Sequence, residues 1–123
     1  MKLTNPTNAE LNAAFATEIC GYKFLHAEHR FDSGVHVAID GISKPDGQWL
    51  SAIPDFCSDA NAVLPWLEKF NGPLNGPDVS FQSGQWEVVL NGCTTRERAV
   101  HSVFPKAAVI ALLRAHGVEI ETT

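Results

Sequence analysis

Basic residues are scarce in this chain. Of 123 residues only 9 are Lys or Arg, against 14 Asp or Glu, for a formal charge of −5. A general nucleic-acid binder carries a basic patch or stripe. The densest basic cluster here is Arg96 and Arg98 with Glu97 between them, so no nucleic-acid partner is expected. Cysteine is scarce as well. Cys20, Cys57 and Cys93 stand far apart and form no Cys-x-x-Cys pair, which removes the usual zinc and redox motifs. The start, Met1-Lys2-Leu3-Thr4-Asn5-Pro6, lacks the apolar stretch of an export signal. An odd number of thiols without such a signal predicts three free, buried cysteines in a reducing cytoplasm. No apolar run approaches the roughly 18 residues of a membrane span, so no membrane partner is expected. G-x-G-x-x-G, the Walker loop and the G-x-S-x-G elbow are all missing, which leaves nucleotide-phosphate binding and elbow-serine hydrolysis without support. Repeats and low-complexity segments are missing too.

What is present suits one folded domain spanning residues 1–123. Hydrophobic residues are 45% and charged residues 19%, and a chain of this length buries roughly two thirds of its unfolded surface. Thr7 and Glu10 form a capping box. Leu11, Ala14, Phe15 and Ile19 follow at helical spacing, and Gly21 suits a left-handed helix end. These signals predict a helix over Thr7–Cys20. Tyr22–Ala27 and Val35–Ile39 read as strands, and Ser43–Gly47 as a turn. Trp49–Ile53 reads as a strand or a packed loop. A second helix spans Ala60–Phe70, with Val63, Trp66, Leu67 and Phe70 on one face. Pro65 inside it predicts a first turn of loose or 3₁₀ character. Asn71–Asp78 is a loop. Val79–Phe81, Trp86–Leu90 and Arg98–Val103 form an antiparallel meander with turns at Ser83-Gly84 and Asn91-Gly92. Pro105 opens a last helix that Gly117 ends. The fold class is therefore α+β, with a mainly antiparallel sheet and three helices.

Candidate chemistry is local and incomplete. His26-Ala27-Glu28-His29 contains the H-x-E of zinc deaminases, but that site needs a downstream P-C-x-x-C. Here Ala60 stands three residues after Cys57, and Arg96 three after Cys93. A plain metal site from His26, His29 and His36 needs the first two on one face. A strand puts them on opposite faces, so no metal or other cofactor is expected. Asp55 and Asp59 flank the start of the second helix. They fit its positive dipole end and free amides, and an acid–base pair is the alternative use. Trp49, Trp66 and Trp86 read as core fillers. The last helix is apolar around nearly its whole circumference. One side suffices to cover the sheet, so Val109, Ile110 and Leu113 are a candidate interface.

The leading helix with its Cys20-Gly21-Tyr22 corner, the run Pro54-Asp55-Phe56-Cys57-Ser58-Asp59, the Trp66 helix, the Trp86 strand and the closing Ala107–Leu113 helix together resemble the phage ABA sandwich domain family. Its members often read Cys-Gly-Trp at the first corner and Pro-x-Phe/Tyr-Ser-x-Asp before the second helix. Here Tyr22 replaces the tryptophan, and Cys57 intervenes before Ser58-Asp59. The resemblance implies an α/β/α layered sandwich and no known activity, so no catalytic residue is carried over. The expectation is a phage or prophage accessory protein of the bacterial host cytoplasm. It would act as an interaction module toward a protein partner or a second copy. The alternative is a small hydrolase-like or metal-dependent enzyme using a His/Asp-lined pocket.

Overall fold

The structure, a computed structural model, describes residues 2–30, 32–34, 36–70, 77–91 and 96–122. The elements run β1 (Lys2–Thr4), α1 (Asn8–Glu18), β2 (Lys23–Arg30), β3 (His36–Ser43), β4 (Trp49–Leu50), α2 (Ala60–Lys69), β5 (Asp78–Gln82), β6 (Gln85–Asn91), β7 (Arg96–His101), α3 (Phe104–Ala115) and β8 (Glu119–Glu121). The class is α+β, as the sequence predicts. β2-β3-β4 and β5-β6-β7 are antiparallel sheets, while β1 and β8 pair in parallel.

Local signals set the ends of the elements. The Glu10 N–H donates to Thr7 Oγ1 at 3.2 Å, and the Thr7 N–H to Glu10 Oε1 at 3.3 Å. Gly21 takes φ +72 beyond α1, where a Cβ would be strained. Asp59 caps α2 by accepting from the Asn61 N–H at 3.0 Å. The Ala62 N–H reaches only three residues back, to the Asp59 carbonyl at 3.1 Å. That is the 3₁₀ contact expected of this Pro65-containing helix. Ser83 and Gly84 both have positive φ (55 and 78), the two-residue turn whose twist matches a hairpin.

Three outcomes depart from expectation. β2 and β3 run to Arg30 and Ser43, well past the predicted strands, because pairing with each other sustains residues that carry no strand pattern. β1 and β8 went unpredicted; three residues are too few to show a period. The largest departure concerns α3. It packs on β6 and β7 and also on α1 and α2, and every residue from Ala107 to Leu113 is buried. Val109 and Leu113 are 0% exposed and Ile110 is 4% exposed. The side of α3 left over by the sheet is covered by the chain's own helices, so these three residues offer no face on which a protein partner could dock. Phe15 anchors that packing, with its ring 4.5 Å from Phe56 and edge-on to Trp66 at 6.5 Å.

Candidate functional site

The sequence candidates separate in space. His26 and His29 lie on β2, and His36 starts β3 opposite Arg30. The side chains of His26 and His29 fall outside the described ones. Asp55 and Asp59 lie at the entry to α2, and the β2–β3 pair does not pack on that helix. Among the described side chains, His36 on β3 and Asp55 and Asp59 before α2 line no common cavity. Among the described residues, no group of three or more His, Cys, Asp or Glu could hold a metal. Asp59 is the helix cap. Asp55 accepts from Asn12 Nδ2 at 3.0 Å, and Asn12 Oδ1 accepts from the Cys57 N–H at 2.9 Å. Asn12 is the buried polar residue that ties this turn to α1. Cys20 and Cys57 are free and buried, and burial pushes their thiols up to about 12 and about 11. Both are therefore protonated and inert at neutral pH. Cys93 lies outside the described residues.

Two surface features remain, and neither is visible as a motif. The first is the β2-β3-β4 sheet. Its register puts Phe24, Ile42 and Leu50 in line on one face, and Leu25 and Gly41 on the other. The Trp49 ring lies over Gly41, so close that a Cβ there would sit 1.9 Å from Cζ2. Ile42 is buried, yet Phe24 is 52%, Leu25 43% and Trp49 44% exposed. A groove of about 430 Å³ runs among Phe24, Leu25, Gly41, Ile42 and Ile53. Trp49 thus departs from the core role expected of it, whereas Trp66 and Trp86 pack against the core. The reason is that, among the described residues, the three helices pack on one another and on β6, β7 and β8, and none packs extensively on this sheet.

The second feature is a cleft of about 680 Å³ between β7 and α3. Among the described residues β7 pairs with β6 alone, so its outer edge borders this space. Lys106, Ile110 and Arg114 line it from α3, and Arg98, Val100 and His101 from β7. Spacing by four puts the α3 trio on one stripe. Arg98 is paired with Glu87 at 2.7–2.8 Å. Arg114 donates to the Arg98 carbonyl at 2.7 Å and the Ile120 carbonyl at 2.8 Å, bridging β7 to β8. His101 Nδ1 accepts from the Val103 N–H at 2.9 Å. Burial, with Lys106 nearby, holds His101 below its ordinary pKa, so the neutral ring carries its proton on Nε2. Sequence reasoning weighed only the Arg96–Arg98 pair. The available signal was the Lys106-x₃-Ile110-x₃-Arg114 stripe on a helix otherwise apolar.

No family model matches this chain, and no curated protein does. Among solved structures, the chain is similar to a phage protein from Bacillus cereus ATCC 14579. The TM-score is 0.64 and the identity 14%, over 94% of this chain and 93% of that one. At that identity the likeness shows a shared fold.

Proposed function

We propose that the chain is a phage or prophage accessory protein of the host cytoplasm that acts by binding a protein through its β2-β3-β4 sheet. The observation that carries this reading is the exposure of Leu25 and Trp49 on one face of the sheet and of Phe24 on the other, with no helix packed extensively on it among the described residues. Large apolar side chains are costly to leave in water, at about 25 cal/mol per Å², and the groove lined by Phe24, Leu25, Ile42 and Ile53 marks an interaction surface. The fold shared with a phage protein supports the origin. No helix among the described residues is long and apolar enough to cross a membrane, which accords with a partner met in solution.

The test compares wild type with a Phe24→Ser/Trp49→Ser variant, each immobilised and exposed to extracts of cells producing the phage. Specific capture by wild type and its loss in the folded variant are expected. Sedimentation of the two at micromolar concentration decides whether the bound protein is a second copy. Identical capture and identical sedimentation by both chains would overturn the reading.

A further inference from the structure

We propose that the cleft between β7 and α3 binds a small organic anion, with its oxyanion group at Lys106 and His101, its apolar part against Val100 and Ile110, and Arg114 adding positive charge at the far end. Charge makes the first argument. The chain is acidic overall, yet this cleft gathers three cations and a histidine. Among the described residues Arg98 alone has a carboxylate partner there, Glu87. Arg114 is held by two carbonyls, which orient its guanidinium without neutralising it. Lys106 has no carboxylate within ion-pair distance among the described residues. In a half-enclosed space, uncompensated cations raise the local concentration of anions.

Donors make the second argument. Lys106 offers an ammonium, His101 its Nε2–H, and Arg114 the N–H groups not spent on carbonyls. The outward backbone of Val100 lies on the same free edge as the Arg98 carbonyl, two residues away. Ammonium, imidazole N–H and guanidinium groups are all donors, and a ligand rich in acceptor oxygens is their complement. A carboxylate or a phosphate ester supplies them.

Shape makes the third argument. Four-residue spacing sets Lys106 and Arg114 roughly 12 Å apart along α3 with Ile110 between them. The cleft thus has polar ends and an apolar middle, and its volume is in the range of small-molecule sites. An added β-strand is the wrong occupant, because Arg114 already occupies the Arg98 carbonyl and blunts that edge.

Phenyl phosphate and benzoate are the probes, with phenol as the neutral control. Each is titrated into the ¹⁵N-labelled chain at low salt while backbone amide shifts are followed. Saturable shifts at residues 98–101, 106, 110 and 114 are expected with an anion and not with phenol. The tighter of the two anions identifies phosphate or carboxylate as the natural group. Lys106→Gln should weaken binding by about tenfold or more, and Lys44→Gln, remote from the cleft, should leave it unchanged. The proposal is overturned if neither anion saturates at millimolar concentration, if phenol binds equally, or if Lys106→Gln binds like wild type with its fold intact.

Discussion

The β5-β6-β7 sheet and the β2-β3-β4 sheet are both three-stranded and antiparallel, but they live in different environments. β6 and β7 lie against α3, and Val88, Leu90 and Ala99 join one cluster with Leu11, Phe15, Val63 and most of α3. In the other sheet Ile42 is buried outside that cluster, and Phe24, Leu25 and Trp49 stay exposed. The difference teaches that strand pairing and burial are separate decisions. β2 and β3 pair over eight residues each with no helix packed extensively on them among the described residues. One region therefore stores stability, and the other presents apolar surface.

The comparison breaks most directly at Val109. Val109→Asp puts a carboxylate, without a partner, between the sheet and the helices. Its cost of more than about 4 kcal/mol is a large share of a typical domain's stability. We expect no cooperative unfolding transition by circular dichroism. A folded Val109→Asp chain would show that α3 is not enclosed. The counterpart, Phe24→Ser, should move the same transition by less than about 0.5 kcal/mol.

Asn12→Ala comes next. It strips the acceptor from the buried Cys57 N–H and the donor from Asp55, and should cost about 1–3 kcal/mol in urea unfolding. A loss much below that would mean water satisfies the turn.

The thiols give a pH test of the buried region. The folded pKa values of Cys20 and Cys57 lie above the ordinary 9.0, near about 12 and about 11, because burial disfavours the thiolate. Their contribution to stability is thus full below pH 9 and is lost as pH rises toward those values. The melting temperature should fall along that limb, and more shallowly in a Cys20→Ala/Cys57→Ala chain. Identical alkaline limbs would refute the assignment.

The smallest effect sharpens the exposed region. Gly41→Ala collides with the Trp49 ring, and that ring, being exposed, can swing away. The Trp49 indole N–H resonance should shift while unfolding changes by under about 1 kcal/mol. A large drop in stability would mean that the two sheets unfold as one unit.

The elements were readable where the determining contact is local. Thr7 with Glu10, Ser83 with Gly84, Asp59 before α2 and Pro105 at the head of α3 each act within a few residues, so their neighbours in sequence carry the information. The same reasoning placed Val109, Ile110 and Leu113 on an apolar helix, since periodicity counts apolar residues. What covers them depends on α1 and α2 returning to the far side of α3, which no local pattern encodes. His36, Asp55 and Asp59 lie on separate elements for the same reason. The basic cleft escaped notice because Arg98, Lys106 and Arg114 are eight residues apart and meet only when β7 lies beside α3.

By itself the sequence determined the α+β class, the helix caps, the hairpin turn and the acidic, cysteine-poor character, all properties of composition and near neighbours. Tertiary structure alone decided that α3 is buried from Ala107 to Leu113, that Trp49 faces water and covers Gly41, and that three scattered cations line one space. Burial and electrostatic clustering are relations between elements brought together from distant parts of the chain, and they exist only once those elements are packed.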